Sequence, residues 1–284
     1  MRLLPKSEIV EALRALNIAP GDVVHVQSDL RRIGPVEAPL TRDGQCGFYL
    51  EALQEVIGPT GTITCCTSFE DYGRYGTPFV REESPSRTDM FSEYLRTRPG
   101  AVRSMHPIVS VTGLGPRAEE LCGGNHFSGF GYDSPWGRLH RANAKILTLG
   151  IASDVEGGMT FLHHVEAMYG MPYQYIKLYR APVIAQGQRV PGDFVMHVRY
   201  LDYSIVNAVY DVKARFLAEG HARQVKTGRT MTYCIPAQAA FAQMMRYLDE
   251  NMWAYLQAPP NFRQGEIPMD GPVGEMKVCY DNQP

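Results

Sequence analysis

Asp22-Val-Val-His-Val-Gln27, set between the Pro20-Gly21 stop and the polar pair Ser28-Asp29, decides how the chain is read. The segment is short, β-branched and bounded by turn residues, the pattern of a strand buried in a sheet. Upstream, Ile9, Leu13 and Leu16 recur at helical spacing, Ser7 can cap that helix, and Pro20-Gly21 stops it. Downstream, Leu50, Leu53, Val56 and Ile57 predict a helix over 48–57, closed by Gly58-Pro59, and residues 62–67 predict a second strand. Helix and strand therefore alternate, which favours a layered α/β core. The same reading predicts strands at 109–112 and 145–150, and helices at 89–96, 116–121, 160–169 and 236–251. Residues 70–87, rich in Gly, Pro, Tyr and charge, read as an irregular excursion beside a site. Strand-like alternation over 176–200 surrounds a Gln186-Gly187-Gln188 turn. With no repeat and no long linker, the expectation is one domain over 1–258 and a Pro-rich irregular tail over 259–284.

Lys plus Arg total 28 against 30 Asp plus Glu, so a net charge of -2 supplies no general field for gripping a phosphate backbone, which argues against nucleic acid as a partner. A composition of 44% hydrophobic and 20% charged residues is that of a folded globular chain. Lys6, Glu8 and Glu11 break the N-terminal apolar run, and no run reaches the roughly 18 to 20 residues of a membrane span, so the expectation is a cytoplasmic protein without a membrane partner. The six cysteines are scattered without a CxxC pair and read as free thiols.

The densest chemical cluster is Thr160-Phe-Leu-His163-His164-Val-Glu166. On a helix, His163 and Glu166 share a face, so the carboxylate can orient the imidazole and leave the other ring nitrogen free as a general base. His164 points elsewhere and reads as structural. His106, His163 and Glu166 could alternatively serve as three metal ligands of a hydrolase, although the spacing is not HExxH. In Arg103-Ser104-Met-His106-Pro-Ile-Val-Ser110, the arginine could meet a phosphate and the serines could donate hydrogen bonds. Cys65 and Cys66 fall in a predicted buried strand, where a thiol packs as a small hydrophobe. Gly123-Gly124 and Gly129-Phe-Gly131 match neither a P-loop nor GxGxxG.

Taken in order, these segments resemble the aminoglycoside N(3)-acetyltransferase family, also called the antibiotic acetyltransferase family. Gly21-Asp-Val-Val-His-Val-Gln-Ser28-Asp-Leu-Arg-Arg-Ile-Gly34 is similar to its early strand and loop, and the segment from Arg103 to Ser110 to its Arg-Ser-x-His-Pro-x-x-Ser block. Ser134-Pro-Trp-Gly137-Arg-Leu is similar to its Ser-Pro-x-Gly-x-Leu block, and Leu162-His163-His-Val-Glu166 to its Leu-His-x-x-Glu helix. The resemblance implies a single α/β/α domain, distinct from the GNAT fold, that transfers an acetyl group directly from acetyl-CoA to an amine of an amino sugar or aminoglycoside-like acceptor. By the same resemblance, His163 is the base with Glu166 beside it. Ser28, Arg31, Arg103, Ser104, His106 and Ser110 belong to the acetyl-CoA site, and His197, Arg199 and Asp202 to the acceptor side. No metal ion is expected. A catalytically silent ligand-binding member is the other reading, and a homodimer is one assembly left open. Gln27 and Asp29 stand where the family's loop has His and Ser. The stretch Met196-His-Val-Arg199-Tyr200 carries cations where aminoglycoside-modifying members carry acids, which suits an anionic acceptor such as a nucleotide-linked amino sugar.

Overall fold

Parallel pairing of the Asp22 segment with two other strands organises the chain in a computed structural model that describes residues 2–154, 157–200 and 203–262. The order begins α1 (Lys6–Ala15), β1 (Val23–Ser28), α2 (Leu30–Ile33), α3 (Arg42–Ile57), β2 (Thr62–Cys66), α4 (Glu70–Tyr75) and β3 (Phe79–Val80). It continues through α5 (Met90–Arg96), β4 (Val102–Arg103), β5 (Val111–Leu114), α6 (Ala118–Cys122), α7 (Pro135–Arg141), β6 (Lys145–Leu149) and α8 (Leu162–Tyr169). The last part holds β7 (Gln174–Tyr179), β8 (Val183–Ala185), β9 (Gln188–Arg189), β10 (Phe194–Arg199), α9 (Val209–Ala218), β11 (Arg223–Thr227), β12 (Thr230–Pro236) and α10 (Ala237–Glu250). A mixed seven-stranded sheet runs in the order β11-β12-β6-β1-β2-β5-β4, with β1 parallel to both β2 and β6.

The two-residue period of the central strands divides the interior into two layers. Val24 and Val26 of β1, Ile63 and Cys65 of β2, and Leu147 and Leu149 of β6 pack with α1, α3 and α5. Val23, Cys66 and Ile146 face the other way, toward Trp136, Leu139, Val165 and Met244 of α7, α8 and α10. This is the expected α/β/α layering, and it sends His25 and Gln27 toward the α7–α8 side, where the His25 ring meets Trp136 edge-on at 4.9 Å.

Several expectations about local structure need correction. Ser7 does not cap α1, which starts at Lys6 behind Pro5 with no side-chain cap. Helix α3 begins at Arg42 rather than residue 48, because Thr41 accepts a hydrogen bond from the Gly44 amide. Gly44 masks this start in the sequence, yet a Cβ there would meet the Pro39 carbonyl oxygen at 2.7 Å. The strand predicted at 109–112 lies at Val111–Leu114, since Ser110 is turned into a hydrogen-bonded loop. The excursion at 70–87 holds α4 and β3, and α9, β11 and β12 stand where the sequence pattern predicts no element. The residues at 176–200 form parts of two small sheets, β10-β7 and β3-β8-β9. Of the tail, residues 259–262 are described, as loop, and 263–284 lie outside the described residues. Among the described residues no helix is long and apolar enough to cross a membrane.

Burial leaves a pH signature. It pushes His25 and His106 down to about 3, and His126 and His164 down to about 4. Between the ordinary histidine value of 6.5 and about 4, the unfolded chain binds more protons at these sites than the folded one. Stability therefore falls as pH falls through this window, by about 1 kcal/mol per pH unit for each such group. Far-UV circular dichroism is expected to show cooperative acid unfolding with a midpoint at roughly pH 4 to 5. Native ellipticity retained at pH 3 would contradict the assignment.

Candidate active site

The carboxyl ends of β1, β2 and β6 open onto two hollows, where open parallel sheets generally place their ligands. One, of about 460 Å³, is bounded by the end of β2, α4, α8 and β10. The other, of about 430 Å³, lies over Ser28, Asp29, Arg31 and Arg32, with Gly157 and Gly158 on its rim. Thr88 lines both.

His163 and Glu166 both line the larger cleft, as their shared helical face predicts. His163 Nδ1 lies 2.7 Å from Glu166 Oε2. A carboxylate can only accept, so Nδ1 carries a proton, and in the neutral ring the lone pair is on Nε2. The two ends of the pair differ in access: the His163 side chain is 38% exposed and that of Glu166 is 1% exposed. Two donors absent from the sequence reading complete the carboxylate. Tyr173 donates its hydroxyl to Oε1 at 2.6 Å, and Gln174 donates Nε2 to Oε2 at 2.9 Å. They reach Glu166 because α8 ends at Gly170 in the left-handed region, at φ 81°, and the chain doubles back. The Phe130 ring packs against the His163 imidazole at 5.3 Å. His164 instead meets the Phe130 carbonyl at 2.8 Å and is buried, as expected of a structural residue.

The structure divides the remaining expected site residues into groups. Ser28 and Arg31 line the smaller hollow. Asp89 lines the same hollow, accepting from the Ser28 amide at 3.2 Å and the Ser92 amide at 2.6 Å, and burial raises its carboxyl above the usual range. His197 and Arg199 line the larger cleft. Asp202 lies outside the described residues.

Arg103, Ser104, His106 and Ser110 line neither hollow and are turned toward internal partners. Arg103 donates Nε to Ser110 Oγ at 3.0 Å, Nη2 to the Thr67 carbonyl at 2.7 Å, and Nη1 to the Arg81 and Ser84 carbonyls. These bonds tie the segment before Arg87 and Thr88 to the end of β2, holding the cleft wall from behind. Ser104 Oγ accepts from the Val111 amide at 2.9 Å. His106 accepts from the Val109 amide at Nδ1, which leaves Nε2 to donate to the Val195 carbonyl at 3.1 Å. With both ring nitrogens engaged, His106 does not join His163 and Glu166, so the hydrolase ligand set is not assembled. Among the described residues no three His, Cys, Asp or Glu side chains are grouped to hold a metal ion.

Cys66 lines the larger cleft, but burial pushes its thiol up to about 12 and keeps it protonated. The other ionised groups around the cleft are mostly satisfied within the protein: Glu70 pairs with Arg74 at 3.0 Å, and Arg87 pairs with Asp71 at 2.8 Å.

The sequence pattern of the aminoglycoside 3-N-acetyltransferase family matches residues 25–249. The chain is similar to aminoglycoside N(3)-acetyltransferase VIII of Streptomyces fradiae, at 32% identity over 65% of this chain and 68% of the relative. It is also similar to aminoglycoside N(3)-acetyltransferase IX of Micromonospora chalcea, at 29% identity over 87% of this chain and 94% of the relative. Among solved structures, the binary complex of AAC-IIIb with CoASH superposes with a TM-score of 0.74 at 26% identity, covering 91% of this chain and 100% of the other. Sisomicin-bound AAC-VIa gives a TM-score of 0.74 at 26% identity, covering 88% and 99%.

Proposed function

Because the chain belongs to the aminoglycoside 3-N-acetyltransferase family, a family of acyltransferases that use acetyl-CoA as cosubstrate, we propose that His163 is the general base of a direct N-acetyl transfer to an amino-sugar amine. The observation that carries this reading is the His163–Glu166 pair, with a buried carboxylate behind the ring and an exposed ring edge toward the cleft. Glu166 fixes the tautomer and stabilises the imidazolium as it forms. In this reading the phosphates of acetyl-CoA meet Arg31 in the smaller hollow, where Arg32 is already paired with Asp29, and its thioester passes Thr88 into the cleft beside His163.

The acceptor nitrogen adds to the thioester carbonyl carbon while His163 Nε2 takes its proton. The C–S bond then breaks, and the departing sulfur takes that proton back, giving the amide and free CoA. No acyl-cysteine is required, in keeping with a Cys66 thiol held protonated.

The acceptor carries an anionic group beside its amine. Glu166 already accepts three hydrogen bonds and Glu70 is paired, so among the described residues the cleft offers no unpaired carboxylate to a polyammonium ligand. Arg199 lines the cleft with no ion pair among the described residues, and His197 stands on the same strand with a buried Nδ1 that lacks a partner. The test compares kcat/KM for a nucleotide-linked amino sugar and for sisomicin. The wild type should favour the anionic acceptor by about ten-fold or more, and Arg199→Glu should reverse the order. Efficient sisomicin acetylation, unchanged in Arg199→Glu, would refute the anionic acceptor and leave the transfer chemistry standing. No turnover with any amine would leave a ligand-binding protein.

A further inference from the structure

The geometry points to Thr160 as the hydroxyl donor to the oxyanion of the acetyl-transfer intermediate, with Gln27 as the residue that aims it. Thr160 lines the larger cleft, and its carbonyl accepts the His163 amide at 3.1 Å, so base and hydroxyl stand on one turn of chain facing one space. Gln27, 6% exposed at the end of β1, grips Thr160 at two points. The Thr160 amide donates to Gln27 Oε1 at 3.2 Å, and Gln27 Nε2 donates to Thr160 Oγ1.

The backbone contact removes any ambiguity in the side-chain amide: an N–H can only donate, so Oε1 must face it and the NH₂ must face the hydroxyl. The Thr160 oxygen is therefore an acceptor toward Gln27, and its own proton must point elsewhere. Among the described residues that proton has no acceptor, and the direction left to it is the cleft. When the amine nitrogen adds to the thioester carbon, the carbonyl oxygen gains the negative charge that this O–H meets. The hydrogen bond strengthens in the transition state and weakens again as the C–S bond breaks. The position that the family fills with His thus carries, in this chain, an amide suited to presenting a hydroxyl.

This inference rests on the transfer reaction above, and its test separates the two. Acetylation of the better of the two acceptors compared above is measured together with the slow hydrolysis of acetyl-CoA in the absence of amine, which passes through the same oxyanion. Thr160→Val, which keeps the shape and removes the hydroxyl, should lower kcat for both by about 10²- to 10³-fold. KM for acetyl-CoA should stay within roughly three-fold. Thr160→Ser should restore most of the rate. Gln27→Glu replaces the donor with a carboxylate oxygen that captures the Thr160 proton, so it should produce a similar fall in kcat. Gln27→Glu combined with Thr160→Val should fall no further than Thr160→Val alone. If His163→Ala is inactive while Thr160→Val keeps wild-type kcat, the transfer reading survives and Thr160 is not the oxyanion donor. Equal losses in Thr160→Val and Thr160→Ser would likewise overturn it, since a structural role of the methyl group would then account for the effect. Absence of both reactions in the wild type would remove the two readings together.

Discussion

Replacing His163 with alanine is expected to lower kcat by about 10²- to 10⁴-fold, the range in which a positioned general base contributes. The amine nitrogen must lose a proton as it bonds to the thioester carbon, and His163 is the imidazole in the cleft with a carboxylate behind one nitrogen and open space before the other. Because the His163 side chain is 38% exposed, its loss leaves no large void, and the thermal midpoint should move little. Acetyl-CoA affinity should also be nearly unchanged, since the hollow proposed to hold the cosubstrate's phosphates, at Ser28 and Arg31, is built from other elements. Steady-state kinetics alongside acetyl-CoA binding by calorimetry check this. Near-normal kcat would exclude His163 as the base.

Glu166→Ala should lower kcat by about 10²-fold or more and, unlike His163→Ala, should also destabilise the fold. The carboxylate is buried and receives three donors, so its removal leaves the Tyr173 hydroxyl, the Gln174 amide and the His163 Nδ1–H without their acceptor. Each buried group left unpaired costs about 1 to 3 kcal/mol. Glu166→Gln should be milder. Tyr173 can turn its hydroxyl to accept from the new NH₂, so the remaining oxygen still receives His163 Nδ1–H and the tautomer is kept; what disappears is the charge that steadies the imidazolium. The ordering of kcat as wild type, then Glu166→Gln, then Glu166→Ala, with a thermal midpoint lowered chiefly in the alanine variant, is the expected outcome. An alanine variant equal to wild type in both would show that the pair is only a structural contact.

The parts of this site that were legible in the chain are those set by local periodicity. His163 and Glu166 meet because residues three apart on a helix share a face, whatever the rest of the molecule does. The buried strand at Val23–Ser28 was legible because β-branched residues between turn signals have few alternatives. The charged, alternating β11 is not legible as a strand of the main sheet, since its pairing to β12, and that of β12 to β6, carries no local mark.

The local pattern by itself determined the layered α/β class, the Asp22 strand, the helix bearing His163 and the pairing of that histidine with Glu166. Tertiary structure alone decided which polar residues serve the cleft. It turned Arg103, Ser104, His106 and Ser110 inward, and it brought Tyr173 and Gln174 back onto Glu166 through the reversal at Gly170. It also set Gln27 against Thr160, 133 positions along the chain. The reason is physical: helix and strand periods act over a few residues, whereas the partner of a buried hydrogen-bonding group is chosen by how the layers close over it.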